Sequence, residues 1–528
     1  MYSRYNRLQK AQLHTQVYED TQKTKIIVYA PNRCSLLKSS LSYQLHGNYC
    51  LYTSIEEVKN EEGEGVLILG EDAELMSVAL MHYAKAISEG NDFVFSDELF
   101  GINGETQCFW SKYSDAKCCD VVVVSKKLFL QVADKTDDVH QLISMAMQKA
   151  QNKKYIPYAL ASHRRQLQSI DVYSQNRKQV LVLCHEFSLT GAPIVLVSAM
   201  QLLKSLGFDV LVLGPEYGAA IQLFLDAGVN VITNEKRLKD DSLYGLAISC
   251  DLVIANTVVE SDSVKMLGDS PVPVLWWLHD AFLGYPFIED RIPIKQEDNV
   301  KICSVGKHAM AAMHSVRPEF KIEQLLYGLS DYAKDQFQNR DFGVEAGKVF
   351  FTTVGSLETR KGQNILVKAI SLLAPEEIEE AVFLFVGRVL EQYVYDEVKT
   401  LIEKYPNNVL YIERLTRDEI KSLMCQCSCV ICSSTDDPMP TFVTEAAMFG
   451  KSAIVSEHTG TAGLITHGKD GFIYHNDDPE ELCERIREVI KNPEMLVKMK
   501  DDCRALYENN FTQEVFEDVL GTYIKQMC

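Results

Sequence analysis

Short apolar runs alternate with longer amphipathic stretches along most of the chain, and this pattern divides it into three series. In residues 25–165, runs such as KIIVYA, GVLILG, DFVFS and DVVVVS alternate with helix-like stretches such as AELMSVALMHYAKAIS. Residues 166–178 are polar and are predicted to form a linker. A second series, residues 179–335, opens on VLVLCHE, and a third, residues 336–528, contains KVFFTTVGS, AVFLFVG and CSCVICSS.

Apolar strands that alternate with amphipathic helices predict an α/β fold with parallel sheets of the doubly wound type. The series at 179–335 and 336–528 are similar in length and predict two such domains, facing one another across a cleft. Ligands of these sheets bind outside the carboxyl ends of the strands. Functional residues are therefore expected in the loops that follow the predicted strands.

Composition and charge exclude several classes of function. The 528 residues exceed one ordinary core, and 46% hydrophobic with 24% charged residues is typical of a globular protein. The net charge of −20 argues against broad nucleic-acid binding, which needs a basic surplus. No apolar run approaches the roughly 20 residues of a transmembrane helix, and the first residues lack a signal-peptide pattern. A cytoplasmic location is expected, in which the fifteen cysteines stay reduced.

Basic residues concentrate in the segment 1–24 and again near residues 163–178. Such segments could touch the anionic cytoplasmic face of a membrane. A solvated tail and a solvated linker explain them as well, so peripheral membrane contact stays one of two interpretations.

The loop after VLVLCHE contains Gly191, which permits a tight turn, and a helix is predicted to begin at Ala192 and Pro193. Free backbone amides at such a helix start suit a phosphate or a polar substrate. An ordinary packing turn explains the glycine equally well.

Arg360 and Lys361 follow the predicted strand VFFTTVG and precede a helix, whose amino-terminal end attracts anions. Two cations beside free N–H groups suit a diphosphate, because arginine grips two oxygens at once. A solvated loop is the alternative, but the position at a strand's carboxyl end favours function. His279 likewise ends the strand PVLWWL and could stabilise charge on a substrate, although a lone histidine is more often structural.

An acidic loop, TDDPMP, follows the buried strand predicted at CSCVICSS and runs into the helix TFVTEAAMF. Asp437 lies in the loop and Glu445 in the second helical turn, and both are expected to face the mouth of one cleft. The backbone amides of Thr441 and Phe442 lie at the positive end of the helix. Carboxylates that bind hydroxyls, with anion-seeking amides between them, suit a sugar nucleotide. The alternative, a charge that favours the helix dipole, explains Asp437 but not Glu445.

Four cysteines cluster at Cys425, Cys427, Cys429 and Cys432. Their spacing fits no zinc pattern, and they straddle a helix end and an apolar strand. The pattern therefore predicts core residues and no metal site.

Together these features resemble the retaining GT-B glycosyltransferases of family 4 over about residues 178–525. The resemblance rests on the early glycine turn, the strand-ending histidine, the segment G-x-x-x-x-R-K-G, and two acids eight positions apart followed by A-x-x-x-G. It implies two facing Rossmann-like domains and transfer of a sugar from a nucleotide diphosphate sugar to an acceptor hydroxyl, with retention of configuration. Gly191 would shape the loop near the donor phosphates and the acceptor.

The resemblance also assigns the remaining site residues. Arg360 and Lys361 would bind the donor diphosphate and stabilise the leaving group, and Glu445 would hold the ribose. Asp437 would contact the transferred sugar, with His279 near its ring. Because these cations and the helix-end amides stabilise the leaving group, no metal or cofactor is expected. The resemblance implies attack on the same face, assisted by the departing phosphate.

Three positions depart from the family pattern. The first acid of the pair, usually glutamate, is Asp437, and its shorter reach bears on sugar choice. The arginine that often follows the glycine of the R-K-G segment is Ser356, so Arg360 must carry more of the diphosphate binding. Gly463 stands where many members carry glutamate.

Residues 25–165 resemble the later part of a GT-A glycosyltransferase of family 2, in which acids bind a metal and a nucleotide. That resemblance points to Asp72, Asp97 and Glu98. The opening nucleotide-binding unit of that family has no counterpart upstream of Lys25, so a degenerate domain used for packing, acceptor docking or oligomerisation is expected.

The expected partners are a nucleotide-sugar donor and a glycan or lipid-linked acceptor, in bacterial surface polysaccharide or glycan synthesis, with homo-oligomerisation possible. The alternatives are a non-catalytic glycan- or nucleotide-binding protein on a GT-B frame, a bifunctional enzyme with an active GT-A half, and a GT-B sugar phosphorylase or epimerase.

Overall fold

The computed structural model describes residues 23–31, 35–42, 44, 46–70, 73–76, 78–100, 107–110, 121–163, 177–188, 191–216, 218–475 and 477–528. The chain forms two compact units, one of residues 1–189 and 203–253, the other of residues 190–202 and 254–528. Most of the predicted basic segment 1–24 and of the predicted linker 166–178 lies outside the described residues, as does Asp72.

The first unit contains a mixed sheet with apolar, buried central strands. Across the sheet the strands follow the order Tyr49–Tyr52, Ile26–Tyr29, Gly65–Leu69, Val121–Ser125, Phe93–Phe100, Gln107–Trp110, Asn230–Thr233, Asp209–Gly214 and Gln179–Leu183. A further strand, Lys153–His163, pairs in parallel with Phe93–Phe100 and antiparallel with the short strand Ala73–Leu75.

Two features of this sheet differ from the alternation seen in the sequence. Val121–Ser125 runs antiparallel to both of its neighbours, whereas the alternation predicts parallel strands. The stretch AELMSVALMHYAKAIS was predicted to be helical, but Ala73–Leu75 is a strand and the helix spans Ala79–Ser88. A tertiary contact causes this difference, because the backbone of Ala73–Leu75 pairs with the end of the strand Lys153–His163.

The helices of the first unit pack apolar stripes against the strands. Val139–Lys149, for example, buries Leu142, Ile143 and Ala146 at helical spacing. The other helices among the described residues of this unit are Ser35–Ser42, Ile55–Asn60, Ala79–Ser88, Lys126–Leu130, Ile221–Asp226 and Asp241–Ile248, with a 3₁₀ turn at Arg237–Lys239.

The second unit contains two sets of parallel strands. After residues 190–202, the chain enters it again within the strand Leu252–Asn256. This strand adjoins Val274–Leu278, which is followed across the sheet by Val300–Ser304 and Ile322–Gln324. A separate six-stranded sheet is parallel throughout, in the order Val409–Ile412, Ala381–Val386, Val349–Val354, Cys429–Cys432, Ser452–Ser456 and Phe472–Tyr474.

The six-stranded sheet is covered on both faces, which explains why its strands read as unbroken apolar runs. On one face Phe351 stacks on Phe383, with ring centroids 5.1 Å apart, in a core shared with Ile431. On the other face Phe350 and Val430 belong to a second core. Consecutive residues of one strand therefore serve opposite cores.

Most of the helices that the structure describes belong to the second unit. Their bounds are Gly191–Ser205 (its last three residues lie in the first unit), Ser261–Leu267, Lys307–Val316, Gln363–Ser371, Pro375–Glu379, Gln392–Lys404, Arg417–Gln426, Thr441–Met448, Pro479–Lys491, Glu494–Asn510 and Gln513–Met527. Short 3₁₀ helices lie at Val258–Glu260, Phe282–Phe287, Tyr332–Lys334, Thr359–Lys361 and Gly460–Gly463. None of the helices within the described residues combines the length and apolar character needed to span a bilayer.

Candidate functional site

The loops after two neighbouring strands of the six-stranded sheet form the centre of the site. Val349–Val354 and Cys429–Cys432 pair in parallel, so their exit loops emerge side by side. Gly362, in the first loop, has φ +66°, and a Cβ there would lie 1.8 Å from the carbonyl oxygen of Ser433 in the second. Only glycine permits this approach, and it brings Arg360 and Lys361 against the acidic loop.

Lys361 and Asp437 form an ion pair in this centre. The Nζ of Lys361 lies 2.5 Å from Oδ2 of Asp437. Asp437 is only 4% exposed, whereas the Lys361 side chain retains 21% exposure. Arg360 donates from Nη1 to the carbonyl oxygen of Asp436 at 3.2 Å and from Nη2 to Glu358 at 3.1 Å. The two cations are thus held beside the acidic loop by separate contacts.

The helix Thr441–Met448 begins directly after Pro440, and Gly450, with φ +68°, follows its end. Among the described residues, the N–H groups of Thr441 and Phe442 have no hydrogen-bond acceptor. Such N–H groups at the positive end of a helix bind anionic oxygens. The loop that carries Asp437 therefore leads straight into a helix end with two N–H groups that are available to an anion.

Glu445 lies in the second turn of the same helix but has its own partner. Its Oε1 accepts from Nη1 of Arg417 at 2.6 Å, and the guanidinium lies 4.5 Å from the ring centroid of Tyr332. Burial, followed by the nearby Glu445 charge, raises the pKa of Tyr332 well above its ordinary value. For Arg417, burial lowers the pKa, but Glu445 and Tyr332 together outweigh it and the pKa is raised overall. Arg417 therefore stays a cation beside Glu445, and the Tyr332 hydroxyl stays neutral.

His279 and Gly191 lie at the other sheet of the second unit. His279 directly follows Val274–Leu278, and its ring packs on Trp277 with centroids 4.4 Å apart. Gly191 starts the helix Gly191–Ser205, and the next carbonyl, that of Ala192, accepts from Nδ2 of Asn256 at 3.4 Å. Within the described residues, no hydrogen bond joins Gly191 to Arg360, Lys361 or Asp437.

Asp280, next to His279, is a partly buried acid that the sequence did not single out. Its Oδ2 accepts from the backbone N–H of Val258 at 2.5 Å. Burial nevertheless raises the pKa of Asp280 to about 6. The carboxyl therefore titrates close to neutral pH.

Three further residues of the site were also missed. Asp436 is 5% exposed and accepts from Nε2 of His308 at 2.8 Å. Arg417 holds Glu445 from the helix Arg417–Gln426. His308 follows the strand Val300–Ser304 closely, so the strand-end rule that selected His279 would have found it. Arg417 lies on a helix surface and carries no such signal.

The cysteine run is only partly a core feature. Cys427, Cys429 and Cys432 are buried, as predicted, and burial raises the pKa of Cys427 to about 12. Cys425 is exposed, because it lies on the outer side of the helix Arg417–Gln426, so its assignment to the core was wrong. The described residues contain no group of three or more His, Cys, Asp or Glu side chains arranged to hold a metal ion.

The acids singled out in the first unit are partly described. Glu98 is 3% exposed, its Oε2 lies 2.7 Å from Nε2 of His163, and its Oε1 accepts from the N–H of Val121 at 3.0 Å. Asp97 precedes it in the strand Phe93–Phe100, and the surroundings of its side chain lie outside the described part. The metal and nucleotide roles expected for these acids stay predictions.

Comparison with known proteins shows to which family the chain belongs. Residues 334–505 match the family model described as glycosyl transferases group 1, and residues 176–317 match that of glycosyl-transferase family 4. Together the two matches cover more than half of the chain. The chain is a family 4 glycosyltransferase. The predicted fold class, an α/β GT-B fold, is confirmed by these matches and by the solved structures that this glycosyltransferase resembles.

One relative is Spore coat protein SA of Bacillus subtilis (strain 168), 29% identical over 188 residues, which are 34% of this glycosyltransferase and 49% of the relative. The chain thus spans about half the length of this curated relative. The crystal structure of Anabaena Alr3699/HepE in complex with UDP matches with a TM-score of 0.56 at 19% identity, over 66% of this chain and all of that one. The same protein in complex with UDP-glucose matches with a TM-score of 0.55 at 18% identity, over 66% and 99% of the two chains.

Proposed function

We propose that this glycosyltransferase moves a sugar from a nucleotide diphosphate sugar to an acceptor hydroxyl and retains the anomeric configuration. The observation that carries the proposal is the Lys361–Asp437 ion pair beside the free N–H groups of Thr441 and Phe442. An ammonium and two helix-end amides suit a diphosphate, and a carboxylate beside them suits sugar hydroxyls. A nucleotide sugar contains both groups within one molecule.

In this proposal the donor lies along the acidic loop and the helix that follows it. Lys361 and Arg360 bind the diphosphate together with the helix-end amides, and Glu445 accepts hydrogen bonds from the ribose. Because one oxygen of Glu445 is already taken by Arg417, the ribose uses the other oxygen. The UDP and UDP-glucose named for the Anabaena structures support a donor of this class.

The chemistry breaks the bond between the anomeric carbon and the diphosphate oxygen and forms one to the acceptor oxygen on the same face. Negative charge develops on the departing diphosphate, where Lys361 and Arg360 stabilise it. The acceptor hydroxyl gives its proton to that diphosphate oxygen. Asp437 and His279 contact the sugar and orient it, and Gly191 shapes the loop near the acceptor. No metal or cofactor takes part in this scheme.

The acceptor in this proposal is a glycan or a lipid-linked sugar of bacterial surface polysaccharide or glycan synthesis. Contact with the cytoplasmic face of the membrane would bring a lipid-linked acceptor within reach. Transfer to such an acceptor in the presence of vesicles, compared with a water-soluble analogue, measures how much that contact contributes.

The test compares Lys361→Ala with Lys368→Ala, an exposed lysine on the next helix. A panel of nucleotide sugars, with and without EDTA and inorganic phosphate, first identifies the donor by release of the nucleoside diphosphate. Lys361→Ala is expected to lower turnover roughly 100- to 1,000-fold, because one oriented donor to the developing charge is lost. Lys368→Ala is expected to behave as wild type. Equal turnover of the two variants, or activity that requires phosphate as co-substrate, would contradict the proposal.

A further inference from the structure

Asp436 joins the acidic loop to two segments from the preceding half of the second unit. Its Oδ1 accepts from the N–H of Phe282 at 3.1 Å, and its Oδ2 accepts from the N–H of Leu283 at 2.7 Å. The same Oδ1 lies 2.8 Å from Nε2 of His308. A single carboxylate, 154 positions away from Phe282 in sequence, therefore receives three donors.

The two N–H groups belong to the first turn of the 3₁₀ helix Phe282–Phe287. The residue before this turn, Ala281, has no side chain that could cap it. N–H groups at a helix start need an acceptor, and Asp436 supplies it from another part of the chain. His308 completes the arrangement, because its ring also packs edge-on against Phe282 with centroids 5.2 Å apart.

The backbone of Asp436 is equally tied to the proposed donor site. Its carbonyl oxygen accepts from Nη1 of Arg360, and the next residue, Asp437, pairs with Lys361. Burial alone would raise the pKa of Asp436, but His308 and the two N–H groups outweigh it and lower the pKa overall. Asp436 is thus an ionised group that receives charge-assisted hydrogen bonds, which are stronger than neutral ones.

The segment that Asp436 caps is apolar and exposed. Phe282 is 39% exposed, Leu283 52% and Phe287 86%. The segment begins three residues after His279, which is proposed to lie near the transferred sugar. Apolar side chains at this place could restrict the access of water to the anomeric carbon.

We propose that Asp436 is a positioning residue that holds the turn Phe282–Phe287 beside the donor, so that the acceptor hydroxyl and not water attacks the sugar. This inference rests on the glycosyl transfer proposed above. Asp436 does not touch the donor in this scheme. It acts through the turn on one side and through the backbone at Arg360 on the other.

The first experiment uses Asp436→Asn in the full chain. The amide keeps the size of the side chain and one carbonyl acceptor, but its NH₂ group faces an N–H donor that the carboxylate had satisfied. We expect the ratio of donor hydrolysis to transfer to rise about tenfold and the acceptor KM to rise, because a charge-assisted hydrogen bond is lost. Binding of the nucleoside diphosphate, measured by calorimetry, is expected to stay within about twofold of wild type. Asp501→Asn, on the exposed surface of the helix Glu494–Asn510, is the matched control.

A pair of variants at His308 tests the same role independently if Asp436→Asn is poorly folded. His308→Gln keeps an N–H donor within reach of Asp436, whereas His308→Leu has none. We expect His308→Leu to raise the hydrolysis-to-transfer ratio and His308→Gln to restore much of the wild-type value. A merely structural role would lower the thermal stability of both variants without changing that ratio.

The outcomes separate this inference from the function on which it rests. The role of Asp436 would be overturned if Asp436→Asn, or both His308 variants, transferred sugar at the wild-type rate with an unchanged ratio of hydrolysis to transfer. The proposed function would then remain intact. Loss of nucleoside diphosphate binding in Asp436→Asn would overturn it too, because Asp436 would then belong to donor binding. Absence of transfer by the wild type from any nucleotide sugar would overturn both.

Discussion

Two acids, one in each compact unit, are almost equally buried but lie in different chemical surroundings. Glu98 of the first unit is 3% exposed and meets the imidazole of His163 and a backbone N–H. Asp437 of the second unit is 4% exposed, accepts from the N–H of Met439 at 3.3 Å and meets the ammonium of Lys361, which retains 21% exposure. Burial alone therefore does not distinguish a structural acid from a candidate site acid.

The difference lies in what surrounds each pair. The side chain of His163 is fully buried, and that of Glu98 is 3% exposed. Lys361 is partly exposed, and the loop of Asp437 continues into a helix start where two N–H groups have no acceptor among the described residues. The Lys361–Asp437 pair is therefore more accessible to a ligand than the Glu98–His163 pair. We infer that exchangeable partners, and not the acid itself, mark the site.

The largest effect is expected from Asp437→Ala. The variant removes the carboxylate proposed to orient the sugar, and we expect the rate of transfer to fall roughly 1,000-fold at saturating donor. Asp437→Glu is expected to retain more activity and to shift the preference among donor sugars, because the carboxylate reaches one methylene further. Steady-state kinetics with a panel of nucleotide sugars measures both.

Asp437→Ala also tests the comparison between the two acids. Lys361 can turn towards solvent when its partner is lost, so the expected loss of stability is small and comes from the N–H of Met439, which loses its acceptor. A variant that loses much stability but keeps transfer per folded molecule would make Asp437 a structural acid.

A change of intermediate size is expected at the pair in the first unit. His163→Leu removes the imidazole from a buried carboxylate, and we expect the free energy of unfolding to fall by about 3 kcal/mol. Transfer per folded molecule should be unchanged. Thermal unfolding and kinetics on the same sample measure both quantities. Lost transfer without lost stability, above all if wild-type transfer requires manganese, would favour an active GT-A half instead.

The sequence predicted most of the second unit because its strands are buried on both faces. Such strands are unbroken apolar runs, and Val349–Val354, Ala381–Val386 and Cys429–Cys432 all form where those runs occur. The same reasoning failed at Ala73–Leu75, whose helix-like pattern is overridden by pairing with a distant strand. It also predicted the wrong direction for Val121–Ser125, since an apolar run looks the same in parallel and in antiparallel sheets.

For the candidate site, the sequence predicted several of the residues but not the side chains with which they pair. The strand-end rule selected Arg360, Lys361 and Asp437, and the structure brings Lys361 and Asp437 into contact. Asp436 and His308 also lie after strands, but no sequence pattern could show that they contact each other, because they are 128 positions apart in sequence. Strand-end loops can be located from periodicity, whereas the pairing of their side chains depends on the three-dimensional fold.

The smallest effect is expected at Asp280, a third acid whose resolved hydrogen bond comes from a backbone N–H and not from a cation. Burial raises its pKa to about 6, so the folded state binds a proton more tightly than the unfolded state. Stability from this group is fully present below pH 4 and is lost as the pH rises towards 6. Asp280→Asn keeps an acceptor for the N–H of Val258 and removes the charge. We therefore expect the variant to raise the free energy of unfolding by about 1 to 2 kcal/mol at pH 7. At pH 4, where the wild-type carboxyl is protonated in the folded state, we expect little effect. Thermal unfolding at both pH values measures this, and a variant that is destabilised at pH 7 would show that the Asp280 charge, like that of Asp437, has a stabilising partner.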